Sequence, residues 1–247
     1  MHPQDPSPQS DPQTTITIST TDPVDPSATS PPGARARALY FAYGSNLSFT
    51  QMRYRCTQNP SLSSHPVAIA RLDRWRWLIC QPGYANVVPP PELRIGPQAT
   101  DGAAVPISGA DDAVFGVLYE MDPADERLLD GYEGVDHAAG PATPHGGPVP
   151  VAVRPREQGD GDYNKWYVPA TVVHWLDEGQ RARWEDRSAG VSTVPVLVYV
   201  DELRVRLAPP KAEYVPRMNR AIREAESIGF PEKWAEEVMR PAIPLEN

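Results

Sequence analysis

Two cysteines in 247 residues, Cys56 and Cys80, are too few for a disulfide framework, and nothing near either has metal-ligand spacing. Two buried thiols in a reducing compartment are the expected state. Histidine is also scarce, and His2, His65, His137, His145 and His174 show no metal motif. The sequence lacks the Gly-x-Ser-x-Gly turn of a serine nucleophile and the Gly-x4-Gly-Lys-Ser/Thr phosphate loop. Metal hydrolysis and covalent acyl transfer therefore have no support.

An excess of positive charge is missing too. With a formal net charge of -9 and no basic cluster, the chain offers nucleic-acid phosphates no partner surface, so none is expected. No run approaches the roughly 18 apolar residues of a membrane span. The N-terminus lacks the basic start and apolar stretch of a secretory signal. The first 33 residues carry Asp5, Asp11, Asp22 and Asp25 and neither Lys nor Arg, unlike a mitochondrial presequence. A cytoplasmic protein without a membrane partner is expected.

What abounds is proline, 30 residues against 17 glycines, which favours turns over long helices. Residues 1–36 are dominated by Pro, Ser, Thr, Asp and Gln and cannot bury enough surface to offset the entropy of ordering, so a disordered tail is expected. A single domain over 37–247 should follow. "ALYFAY" (38–43), "VAIARLDRWRWLIC" (67–80), "AVFGVLYEM" (113–121), "WYVPATVVHWL" (166–176) and "TVPVLVYV" (193–200) read as strands, the second holding one or two with Trp75 and Trp77 on one face.

Helices announce themselves by their ends. Ser48 and Gln51 stand in the relation of a capping box, with Gln51 reaching back to the cap. Asp122 and Pro123 open a helix that Gly134 should close. Near the C-terminus, Met218, Ala221, Ile222, Ala225 and Ile228 form one stripe between Pro216 and Gly229, and Trp234 and Val238 should face inward from a second short helix. The segment His137–Asp162 exceeds an ordinary connection and reads as either a lid over a site or a disordered insert, the insert being favoured. The fold class that follows is α+β, a small, mixed, largely antiparallel barrel or curved sheet with flanking helices.

Two places could carry chemistry. In "YFAYGSNLS" (40–48) a strand breaks at Gly44, and the amides after it lead into a capped helix. They could cradle a carboxylate or phosphate, or the stretch could be only a tight turn. In "LLDGYEGV" (128–135), Glu133 lies among Leu128, Leu129 and Tyr132 at a helix end, where a carboxylate can serve as acid and base or simply be a solvated side chain. Asp130, one turn earlier, could assist or be exposed.

Together, "YFAYGSNLS" and "VFGVLYEMDPADERLLDGYEGV" resemble the gamma-glutamylcyclotransferase-like family: the Tyr-Gly-Ser-Asn-Leu turn, then the strand, helix and Glu-Gly-Val. "VPVLVYV" and "EYVPRMNRAIREAESIGFPEKW" extend the resemblance over most of Leu39 to Pro241. It implies a small mixed barrel and conversion of a gamma-glutamyl amide to 5-oxoproline and a free amine, with no cofactor or metal. It implies Glu133 as the general acid/base. Tyr43, Gly44, Ser45, Asn46 and Leu47 would form the substrate loop, chiefly through backbone amides, and Tyr199 and Tyr214 would line the pocket. The partner would be a small gamma-glutamyl compound. Inserts near 137–162 and 176–193 depart from the family pattern, and Asn46 disfavours the glutathione-specific branch, which has Tyr-Gly-Ser-Leu. A binding protein on the same fold that does not catalyse is the alternative.

Overall fold

The computed structural model describes residues 38–100, 112–143, 149–188 and 193–245. The tail expected over 1–36 lies outside them. Five strands, β1 (Leu39–Ala42), β5 (Ala113–Tyr119), β2 (Pro66–Asp73), β6 (Asn164–Trp175) and β7 (Thr193–Val200), close into a barrel in that order. β3 (Arg76–Ile79) and β4 (Ala85–Val88) form a separate two-stranded sheet. The barrel neighbours pair antiparallel except where β1 meets β7, with Leu39 opposite Val196 and Tyr40 opposite Leu197. The α+β barrel expected from the sequence is the fold observed.

The buried strands were legible because apolar residues fill them end to end. All four residues of β1 are buried, and Phe41, Ile69, Leu118 and Trp166 have no exposed surface. β4 escaped the sequence reading because polar Asn86 interrupts it between prolines. The structure explains the residue: Asn86 Nδ2 donates to the Asp201 carbonyl at 3.0 Å, and its Oδ1 accepts from the Asp201 amide at 3.1 Å. A buried amide satisfied on both sides substitutes for a ladder neighbour.

Helices flank the barrel: α1 (Phe49–Arg55), α2 (Pro60–Ser63), α3 (Pro97–Thr100), α4 (Pro123–Tyr132), α5 (Glu178–Ser188), α6 (Tyr214–Glu226) and α7 (Glu232–Trp234). Among the described residues no helix is long and apolar enough to cross a membrane. Asp122 caps α4 by accepting from the Ala124 amide, and Pro123 is its first residue. Met218, Ala221, Ile222 and Ala225 are the buried stripe of α6, which begins at Tyr214. The last segment departs from expectation in its winding. Ala235–Met239 winds as a π-helix with Ala235 and Met239 buried, while Trp234 and Val238 are half-buried and pack against the core as expected.

The described part of the region read as a disordered insert is an arm tied at several points to the chain after β7. Arg154 Nε bonds Glu202 Oε1 at 2.8 Å, and Gln158 Nε2 reaches the Asp201 carboxylate at 3.1 Å. These are buried polar anchors that hydrophobic periodicity cannot reveal. The charged stretch after β6 forms α5, whose Trp184 is buried.

Candidate functional site

The chain turns sharply at the end of β1. Tyr43 is followed by Gly44 and a 3₁₀ turn, Ser45–Leu47, which leads through Ser48 into α1. Gly44 has φ of -120°, outside the left-handed region, so space and not backbone freedom requires it. A β carbon there would meet Tyr214 Oη at 2.9 Å and Ala85 Cβ at 3.2 Å. Ser48 caps α1 as expected, accepting from the Gln51 amide at 3.0 Å. Gln51 does not return the favour. Its Nε2 donates instead to Ser45 Oγ and Asn46 Oδ1, both at 2.8 Å.

α4 delivers the carboxylate from the other side. Glu133 is its C-terminal cap, and Gly134 turns the chain at φ of +61°, where a side chain would be strained. Glu133 Oε1 accepts from Asn46 Nδ2 at 3.0 Å and from Arg55 Nη1 at 3.1 Å. Arg55, the last residue of α1, also donates to Asn46 Oδ1 at 3.2 Å. Two segments far apart in sequence thus meet through side chains.

The tyrosines complete the surroundings. Tyr214 Oη accepts from the Ser45 amide at 3.2 Å and the Ala85 amide at 3.4 Å. With both lone pairs engaged, its own hydrogen is left to donate. Tyr40 Oη accepts from Asn46 Nδ2 at 2.9 Å. Tyr199 donates to Asp130 Oδ1 at 2.6 Å, and its carbonyl accepts from Tyr43 Oη at 2.6 Å. Burial pushes all four phenols up, reinforced at Tyr40 and Tyr43 by the charge of Glu133 and at Tyr199 by that of Asp130. They remain neutral hydrogen-bonding groups over the physiological range.

Asp130, left open by the sequence, is buried and meets Lys165 Nζ at 3.0 Å and His137 Nε2 at 3.3 Å. Burial opposes the charge on Lys165, but Asp130 and Glu126 outweigh it and hold the amine above its ordinary range. Asp130 therefore anchors Tyr199 and α4 rather than facing the solvent.

Of the residues singled out from sequence, Ser45, Asn46, Glu133 and Tyr214 are brought together. Tyr199 contacts the cluster through its ring, 5.5 Å from that of Tyr40. Tyr43 and Leu47 are committed to the fold: the Tyr43 carbonyl accepts from Trp77 Nε1 at 3.0 Å, and that of fully buried Leu47 accepts from Tyr119 Oη at 3.2 Å. The side chains of Ser45 and Asn46, expected to matter less than their amides, carry most of the cross-links. Sequence reasoning missed Arg55, Gln51 and Arg217, whose Nη2 reaches Ser45 Oγ at 3.0 Å. Gln51 and Arg55 are four apart on one helix, and that shared face was the available signal.

Two cavities lie away from this cluster. One of about 340 Å³ is lined by Arg154, Glu157 and Glu202, and one of about 1100 Å³ by Phe49, Arg53, Tyr54 and Ile228. Neither includes Glu133 or the glycine turn in its lining.

No protein-family model and no curated protein matches the chain. Among solved structures it is similar to a gamma-glutamyl cyclotransferase, at 19% identity and a TM-score of 0.48 over 85% of this chain and 89% of that one. YkqA from Bacillus subtilis gives 14% identity and the same TM-score of 0.48 over 87% of this chain, which spans 57% of that longer one. A yeast gamma glutamyl cyclotransferase specific to glutathione gives 11% identity and a TM-score of 0.40, over 79% and 90% of the two chains. At these values the function must be read from the chain's own site, while the solved structures it is similar to include gamma-glutamyl cyclotransferases.

Proposed function

We propose that this chain is a gamma-glutamylcyclotransferase with Glu133 as its proton carrier. The observation that carries the reading is the contact between Glu133 Oε1 and Asn46 Nδ2, 3.0 Å, which joins a carboxylate to the glycine turn. The turn would hold the glutamyl end of the substrate, with the Tyr214 hydroxyl as a donor to its oxygen atoms.

The reaction needs little else. Glu133 takes a proton from the substrate's α-ammonium, and the amine attacks the γ-carbonyl carbon, forming the fifth bond of the ring. Collapse of the tetrahedral adduct breaks the amide C–N bond as Glu133 returns the proton to the departing nitrogen, and the ring nitrogen gives up its second proton to the released amine, which leaves as an ammonium. The products are 5-oxoproline and a free amine or amino acid, and Glu133 ends as it began. Because nucleophile and electrophile belong to one molecule, holding it folded supplies much of the acceleration. Asn46 favours gamma-glutamyl dipeptides or amines over glutathione.

Release of 5-oxoproline from gamma-glutamyl dipeptides, gamma-glutamyl-lysine and glutathione tests the reading. No release from any of them by folded protein would sink it, and saturable binding without turnover would support the binding-protein alternative. Glu133→Gln should keep the fold and lower kcat by about 10² to 10⁴. Turnover near that of the unaltered protein would remove Glu133 from its role.

A further inference from the structure

Arg55 has no part in the reaction as written, yet the fold places its guanidinium, 3% exposed, against the carboxylate. Its Nη1 lies 3.1 Å from Glu133 Oε1 and 3.2 Å from Asn46 Oδ1, and its Cζ sits 4.8 Å from the centre of the Tyr132 ring. Tyr132 immediately precedes Glu133. Arg55 thus touches both the carboxylate and the side chain of the residue before it.

The same contacts settle how Asn46 is turned. Its Oδ1 accepts from Gln51 Nε2 at 2.8 Å as well as from Arg55, so its Nδ2 must face Glu133 and Tyr40. Glu133 Oε1 then takes two donors at once. Among the described residues Oε2 takes none.

We propose that Arg55 is a positioning residue for Glu133: with Asn46 it pins Oε1 and leaves Oε2 as the oxygen that exchanges protons with the substrate. This rests on the cyclotransferase reading, since Glu133 must be the proton carrier. A carboxylate at the end of a helix otherwise has several rotamers to sample, and each misplaced one is lost to proton transfer. The charge alone does not account for the arrangement. One guanidinium nitrogen bonds both the carboxylate and the amide oxygen while the flat group lies over the Tyr132 ring, a fixed arrangement that a flexible, strongly hydrated ammonium holds less firmly.

The test compares Arg55→Met, Arg55→Lys, Glu133→Gln and Arg55→Met with Glu133→Gln, each in the full chain, by circular dichroism, thermal unfolding and 5-oxoproline release from a gamma-glutamyl dipeptide. Arg55→Met is expected to lower kcat about ten- to a hundredfold, as sub-ångström misplacement does, with KM little altered. Arg55→Lys should fall between it and the unaltered protein. In the Glu133→Gln background Arg55→Met should cost little further, because both act through one group. A tie between α1 and α4 that only stabilised the fold would give neither the kcat effect nor this non-additivity. Full kcat in folded Arg55→Met, or a loss confined to KM, overturns the inference. Should Arg55→Met fail to fold, a kcat for Arg55→Lys equal to that of the unaltered protein overturns it instead. No 5-oxoproline from the unaltered protein removes the functional reading and this inference with it. Unaltered protein and Glu133→Gln behaving as expected while both Arg55 variants keep full kcat removes this inference alone.

Discussion

Gly44 is held by its surroundings rather than by its dihedral angles. Gly44→Ala would drive a methyl group into the Tyr214 hydroxyl and lift that phenol from the Ser45 amide. We expect kcat/KM to fall about ten- to a hundredfold, since shifts below an ångström suffice for losses of that size. An unchanged kcat/KM would show that the Tyr214 contact is dispensable. The two thiols give a second residue-scale expectation. Burial, followed by the charges of Asp125 and Asp201, pushes Cys56 and Cys80 up to about 12. Both stay protonated near neutrality and should resist thiol reagents until the chain unfolds. Labelling of native protein as fast as that of a free thiol would contradict this. At this scale the sequence revealed what its own neighbours determine, such as the caps Ser48 and Asp122. Gln51 was misjudged because the partner of a side-chain amide depends on which distant groups the fold brings within reach.

Among the elements, the arm after His137 differs most from its sequence reading. Its apolar content is low, but Arg154, bonded to Glu202 and to Glu157, supplies polar anchorage. The hydrogen bond from Arg154 holds the Glu157 carboxyl below its ordinary range. Because the folded value is depressed, the contribution is complete above the unfolded value of about 4.5 and lost as pH falls through the folded one. Amide exchange in 149–163 should therefore accelerate on acidification before that of β5 does. Equal protection of arm and strand throughout would refute it. The terminal π-helix makes a complementary prediction. Met239 is fully buried and Val238 is not, so Met239→Ala should destabilise by about 2–5 kcal/mol and Val238→Ala by less, measured by urea unfolding. The reverse order would restore the α-helical reading. Element ends with Ser, Asp, Pro or Gly signals were legible; a π turn and a strand built around Asn86 leave no comparable trace.

For the whole molecule, closure of the barrel is the property least visible in the sequence. Strand candidates can be marked one by one, but the parallel seam of β1 and β7 joins the first strand to the last. That seam brings Tyr199 beside Tyr40 and, with them, the glycine turn beside α4. Gly116, paired with Ala70, tests how tightly the barrel is drawn. A β carbon on it would stand 2.5 Å from the Phe41 ring and 2.6 Å from the Ala42 carbonyl oxygen. Gly116→Ala should cost about 1–3 kcal/mol or more by overpacking, read from urea unfolding. A stability equal to that of the unaltered chain would mean that the barrel yields more easily than its close contacts suggest.

The arm also reaches the residue that follows Glu133. The Asp162 amide donates to the Gly134 carbonyl at 2.8 Å, Arg204 clamps Asp162 at 2.6 Å, and Gly134 directly follows Glu133. For anyone redesigning this scaffold, the stretch that looks most expendable on paper is therefore a poor place to cut. A trimmed or grafted loop would have to bring its own latch for Gly134, and libraries that randomise 149–163 should be screened for turnover as well as for expression.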